Sequence, residues 1–252
     1  MNTKSIIVVT AFCGFLSQAS VAQDIYAADF TKSRPVRDET RSVSYVKKNA
    51  LVAFEPNLVS DTKLRFKGRL DKMSIQFLSD RIRVNSEKEI GFFHKKKKHV
   101  SWSLSFLDAS ENATMNGNKR LPAKDGSQNA FGEIWYKEIY PGIDLRFFSA
   151  IKEGVRYDIV VKSGADLEPV ALKMQGLTRM RITKNNVLEY TTPDGHEYSG
   201  AIKAYQVIDG EEVAVNAMPK IRNGVLRFDA KDYDKQFPLI IETPVLLAIA
   251  KN

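Results

Sequence analysis

Asp144 and Asp158 are the residues of this sequence best placed to do chemistry. They lie in neighbouring segments, Ile143–Phe147 and Val155–Val161, where apolar and polar residues alternate, so both carboxylates fall on the polar side of a β-hairpin. Two carboxylates cleave a glycosidic bond when an apolar pocket raises the pKa of one and the pair stands roughly 5–10 Å apart. Arg146 and Arg156 interleave with them. Setting Asp144 opposite Asp158 would also set Arg146 opposite Arg156, and like charges directly opposite destabilise a sheet. A slip of two residues faces Arg146 with Asp158 instead. The expectation is this second register, with solvated cross-strand ion pairs and no catalytic residue.

A second group is basic. His94, Lys95, Lys96, Lys97, Lys98 and His99 are consecutive, with Phe92, Phe93 and Trp102 nearby. Lysines in such a run hold phosphate or sulfate by releasing counterions. Lys95, Lys96, Lys97 and Lys98 are therefore the candidate anion-binding residues, for a sulfated glycan or the phosphates of lipopolysaccharide. The plainer expectation is a solvated hairpin loop between a strand ending at His94 and one starting at His99. Nucleic acid is not an expected partner, because its binding modules spread arginine and aromatics over a surface and carry motifs absent here.

The remaining chemistry is excluded by counting. Three histidines and one cysteine are too few for a Cys/His metal cluster, and a disulfide needs a second thiol. No metal site is expected, and His196, which follows Asp194 and Gly195, reads as an exposed turn residue. The sequence has no G-x-S-x-G elbow, phosphate-binding loop, dinucleotide glycine fingerprint or H-E-x-x-H pair, so no cofactor or cofactor-binding residue is expected.

The elements that must position these residues are strands. Val100, Trp102, Leu104 and Phe106 alternate with Ser101, Ser103 and Ser105, and similar short runs recur from Leu51 to the C-terminus. Asn116-Gly117, Asp125-Gly126, Asp194-Gly195, Asp209-Gly210 and Asn223-Gly224 punctuate them as expected tight turns. The fold class is all-β, mostly antiparallel and β-sandwich-like, in two β-rich lobes. Residues 108–130 contain few large apolar side chains and are expected to form an exposed loop or linker between an N-terminal lobe, 50–107, and a C-terminal lobe, 131–247.

At the N-terminus, Lys4 precedes an apolar stretch, and Ser20, Val21 and Ala22 offer small residues to a signal peptidase. Residues 1–22 read as a signal peptide and 23–49 as a polar arm. The stretch is shorter than the roughly 20 apolar residues of a membrane span. Cleavage would remove Lys4 and Cys13, lowering the formal charge from +8 by one and leaving a chain without cysteine. The expected location is extracytoplasmic, either secreted or periplasmic. The positive excess favours anionic partners.

Several spaced motifs recur in one order: Tyr140, Pro141, Gly142, Ile143, Asp144 and Leu145; then Tyr157 and Asp158; then Gly164, Ala165 and Asp166; then Tyr233, Asp234 and Pro238. Ala204, Tyr205 and Gln206 fit the same series, as does the strand from His99 to Phe106. The series resembles a domain of unknown function found at the N-terminus of exported bacterial proteins, often beside β-propeller repeats or gliding-motility-type and type IX secretion C-terminal sorting modules. The resemblance covers about Leu51 to Val245 and is strongest after Glu133. It implies an extracytoplasmic β-rich domain and transfers no catalytic residue. The motif residues themselves read as structural, with Pro141 and Gly142 making a turn and Asp166 capping another. Little chain follows Pro244, so neither propeller repeats nor a sorting module is expected within it.

Two functions fit. One is a non-catalytic accessory or adhesion module that binds a protein or an anionic glycan. The other is a hydrolase of envelope polysaccharide, which requires carboxylates converging in an open cleft.

Overall fold

The alternating segments pair into strands because each buries one row of side chains and leaves the other wet. The computed structural model describes residues 52–59, 63–70, 72–91, 96–121, 130–150, 154–244 and 246–248. All of them lie in one compact unit, residues 47–252. The leader and the whole polar arm lie outside the described residues, as do His94, Lys95 and the Asp125-Gly126 pair.

The strands are β1 (Phe54–Pro56), β2 (Leu64–Leu70), β3 (Met73–Leu78), β4 (Arg81–Ile90), β5 (Lys96–Phe106), β6 (Thr114–Leu121), β7 (Ala130–Tyr140), β8 (Ile143–Ala150) and β9 (Gly154–Val161). They continue with β10 (Leu172–Gln175), β11 (Arg179–Ile182), β12 (Val187–Thr191), β13 (Glu197–Ala201), β14 (Lys203–Ile208), β15 (Glu211–Arg222), β16 (Val225–Lys231), β17 (Leu239–Glu242) and β18 (Leu247–Ala248). The large sheet runs β1-β2-β3-β4-β5-β10-β16-β15-β14-β17-β9-β8-β7-β6, and β1 also pairs with β7, through Phe54 and Phe131. The path therefore folds back on itself, and every pairing given for it is antiparallel. A small sheet, β11-β12-β13, is separate.

Two sides of the large sheet face each other across an aromatic core. Phe77 on β3 meets Phe147 on β8 at 5.5 Å between ring centroids, and Phe106 on β5 meets Tyr136 on β7 at 5.0 Å. These strands are not neighbours in the sheet, so the contacts are between layers, as in a sandwich. Trp102, Leu104 and Phe106 enter this core from β5, while Ser101 and Ser103 point away from it. The small sheet joins the core through Tyr190, whose ring lies 6.1 Å from Trp102 and whose hydroxyl donates to the Leu246 carbonyl at 2.9 Å.

Residues 108–130 do not divide this sheet into lobes. Thr114–Leu121 form β6, paired with β7, and strands from both sides of the expected boundary share the sheet through the β5–β10 and β1–β7 pairings. The polar composition of β6 misled because an outer strand left largely exposed needs no apolar row. Asn116 and Gly117 are mid-strand, not a turn: a Cβ on Gly117 would stand 2.4 Å from the Phe131 ring, so glycine there makes room for that side chain. The turns at Asp209-Gly210 and Asn223-Gly224 are present, and both residues of each pair have positive φ.

The basic run differs as well. Lys96, Lys97 and Lys98 belong to β5 itself and pair with Ile90, Glu89 and Lys88 of β4, so the β4–β5 hairpin is longer than a loop between His94 and His99 would allow. Glu89 on β4 faces Lys97, the one opposite-charge pair directly across the ladder within this run.

Candidate functional site: a buried ion lattice and an exposed basic hairpin

The β8–β9 hairpin adopts the register that charge repulsion selects, with Arg146 opposite Asp158 and Asp144 opposite Val160. Its ion pairs are buried, however, not solvated. Asp144, Asp158, Arg146 and Glu133 have relative exposures of 0%, 3%, 6% and 4%. Arg146 sits between two carboxylates: one terminal nitrogen donates in a short contact to Glu133, and the other reaches Asp158 at 3.4 Å. Its guanidinium also lies 4.6 Å from the Phe148 ring centre. Glu133 further accepts from the Trp135 indole at 3.2 Å and pairs with Lys119 at 2.7 Å.

Two local distortions build this lattice. Lys119 has φ +53° although the β6–β7 register runs on unbroken past it, with Asn118 facing Glu133 and Arg120 facing Phe131. Its ammonium reaches Glu133 from there. Glu138 has φ +54° within a register shift between Tyr136 and Tyr140. That bulge turns the Glu138 amide onto Asp144 at 2.8 Å and its carboxylate onto the Gly142 amide at 2.9 Å and onto Lys162. Asp144 also accepts from Lys137 at 2.8 Å and pairs with Lys162 at 3.4 Å.

The two carboxylates beside Arg146 are driven apart. Burial alone would raise Glu133, but Arg146 and Lys119 more than reverse it and hold the carboxyl below its ordinary value. Burial pushes Asp158 up to about 7, and Arg146 opposes it only partly because its closer bond goes to Glu133. The Asp158 Oδ1 has no hydrogen-bond partner. A split pair of this kind is the signature of acid/base division of labour. Substrate access is what it lacks, since both carboxylates are almost fully covered.

The remaining motif residues converge on the same end of the hairpin. Pro141 and Gly142 form the β7–β8 turn, where Gly142 has φ +69° and a Cβ would meet that of Ala165 at 2.6 Å. The Tyr140 hydroxyl donates to the Ala171 carbonyl at 3.0 Å, and Tyr157 stacks on Phe147 at 5.3 Å. The Gly164 amide donates to the Lys235 carbonyl at 2.7 Å. Asp166 pairs with the Lys235 side chain and does not cap a turn. Gln206 clamps the following loop, donating to the carbonyls of Asp234 at 2.7 Å and Phe237 at 3.1 Å and accepting from the Asp234 amide. Tyr233 packs against the core, and Pro238 is buried just before β17.

A family profile matches residues 54–244, the span that contains these interlocking positions. The chain belongs to the DUF7948 family, a domain of unknown function. In this DUF7948 chain the profile takes in β1 through β17, and thus the entire ion lattice. No curated protein and no solved structure matches it.

The histidines of this DUF7948 domain have acidic neighbours of their own. His196 is 47% exposed in its side chain and lies 3.1 Å from Asp194, which also bonds Thr192 and Ser86. Burial raises Asp194, but those bonds bring its carboxyl below the ordinary value. A serine nucleophile is activated by an imidazole standing between it and the aspartate. Here the aspartate stands between Ser86 and His196, the wrong order for that relay. His99 pairs with Glu87 at 3.9 Å, and no group of three or more metal-ligating side chains occurs among the described residues.

The exposed counterpart of the lattice is the distal β4–β5 hairpin. Lys88, Glu89 and Ile90 on one strand and Lys96 to His99 on the other are all exposed. Alternation puts Lys97 and His99 on the side of Glu87 and Glu89, where Lys97 reaches Glu87 at 3.0 Å. The other side carries Lys96, Lys98 and Lys88, with Lys98 directly opposite Lys88.

Proposed function

We propose that this DUF7948 domain is an exported, non-catalytic module of the bacterial envelope or its exterior, which binds an anionic partner through the β4–β5 hairpin. The observation carrying this reading is the contrast in what the charges do. Asp144 and Asp158 of the family motif are engaged by cations inside the protein, whereas Lys88, Lys96 and Lys98 gather on an exposed strand pair with two of them directly opposed. Opposed like charges cost stability in the free protein. An anionic glycan, lipopolysaccharide or acidic protein surface bound there would relieve that repulsion. The export assignment rests on the leader and on the resemblance to domains carried by exported proteins, some with propeller or gliding-motility modules.

The test is salt elution from heparin and lipopolysaccharide resins, comparing the native chain with one in which Lys95 to Lys98 are replaced by Gln. The substituted chain is expected to elute at clearly lower salt. Unchanged elution would remove the hairpin as the binding surface. Release of reducing sugar from envelope polysaccharide, abolished by Asp158→Asn, would replace the binding reading with hydrolysis.

A further inference from the structure

A depression of about 270 Å³ opens beside the β2–β3 turn, on the sheet face that also carries Glu87 and His99. Its shape follows from side-chain length. Ser74 and Asn85, paired across β3 and β4, are short and form the floor, while Arg69, Lys72 and His99 are long and stand at the rim. Arg69 pairs with Ser74 in the β2–β3 ladder, so its guanidinium and the Ser74 hydroxyl belong to one row. The Asn85 amide donates to Ser74 Oγ at 3.4 Å, a long bond that leaves its second N–H for another acceptor. Glu87 is the carboxylate lining the depression, and Lys97 at 3.0 Å and His99 at 3.9 Å both turn toward it. Lys72 lies close enough to lower the Glu87 carboxyl, after the larger effect of Lys97. The lining therefore has more cation than anion, with neutral donors at its centre.

We infer that this depression is a binding site for a sugar bearing an oxyanion ester, sulfate or phosphate, with Arg69 and Lys72 holding the anion and Ser74 and Asn85 bonding the ring substituents. A guanidinium fork matches two oxygens of a tetrahedral anion, and an ammonium adds a mobile point charge. The volume is just below the roughly 300–1,000 Å³ of sites for drug-sized ligands, which suits one sugar unit better than a longer rigid ligand. The inference deepens the proposed binding function and rests on it. It adds, on the Glu87 and His99 face of the same hairpin, a second contact to the one made by Lys96 and Lys98.

The experiment is titration of the full chain with glucosamine 6-sulfate, glucosamine 6-phosphate and unmodified glucosamine, followed by amide chemical shifts at low salt. The expected result is movement of signals from residues 69–74 and 85–87 with one or both esters and none with glucosamine. Preference for sulfate or for phosphate identifies the source of the oxyanion. Arg69→Gln combined with Lys72→Gln should weaken binding by about tenfold or more, equivalent to about 1.4 kcal/mol. Ser74→Trp, which fills the floor without altering charge, should abolish it. Arg181→Gln with Lys220→Gln, exposed cations outside the lining, removes the same charge and should change affinity by no more than about twofold, as expected of remote exposed charges under salt screening. Equal losses in the two charge-matched pairs, equal binding of glucosamine, or no binding of either ester would overturn the site. The heparin elution of the lysine-run variant tests the hairpin separately, so failure here and failure there can be told apart.

Discussion

Arg146 and Lys98 both stand in the middle of a strand with a charged residue directly across the ladder, yet they end in opposite situations. Arg146 faces Asp158, is buried, and has Glu133 as a second partner. Lys98 faces Lys88 and is exposed. The difference shows that this fold uses Asp144 and Asp158 for internal organisation and leaves a cluster of lysines outside. A buried ion pair contributes less to net stability than its contacts suggest, because both charges lose water. What it does impose is registry: Arg146 meets both Glu133 and Asp158 only if β7, β8 and β9 align in one way.

The sharpest way to break the comparison is to remove the hub of the lattice. Arg146→Ala leaves Glu133 and Asp158 buried without their shared cation and is expected to cost about 3–5 kcal/mol, read by urea unfolding. Replacing Glu133, Arg146 and Asp158 together by apolar residues should cost much less. If the triple variant is as damaged as the single one, the lattice contributes more than registry.

The next largest effect is the pH dependence of stability. Asp158 has a folded pKa of about 7, above its ordinary value of 3.8, so between these values the folded chain keeps a proton that the unfolded chain releases. This group therefore lowers stability as pH rises from about 4 to about 7, by at most about 4 kcal/mol. Glu133 acts oppositely: its folded pKa lies below the ordinary 4.5, and the stability it contributes is lost as pH falls through the folded value. A thermal-midpoint profile should peak in mildly acidic solution, and Asp158→Asn should flatten its neutral side. A native profile flat from pH 4 to 7 would show that Asp158 is better compensated than its burial implies.

Gly142→Ala should cost about 2 kcal/mol, from positive φ and from contact with Ala165, measured in the same unfolding assay. The smallest effect is expected outside. Lys98→Glu should leave the thermal midpoint essentially where it is while lowering the salt needed for elution from heparin. A large loss of stability from this exposed substitution would show that the hairpin, too, has a structural role.

Much of the fold was legible in the sequence. The alternation in residues 100–106 and 143–161 identifies strands and their buried faces, and the charges of Asp144, Arg146, Arg156 and Asp158 select one register from two. Strand β6 was not legible, because an exposed outer strand carries no apolar alternation. The extension of β5 through Lys96–Lys98 was hidden for a related reason: a row of lysines resembles a loop until the opposing strand is known. The depression was also invisible, since Arg69, Asn85 and His99 come from β2, β4 and β5 and Lys72 from the β2–β3 turn.

By itself the sequence determined the β class, the strand faces, the β8–β9 register and membership in a family of spaced motifs, since each depends on residue types a few positions apart. Only the tertiary structure decided that the hairpin charges are buried. Burial depends on what the closed sheet brings over Arg146, and the positive φ of Lys119 and the register shift around Glu138 are local departures from a regular ladder. Period-2 patterning assigns a side chain to a face of the sheet, but how much water that face keeps is set by contacts far apart in the chain.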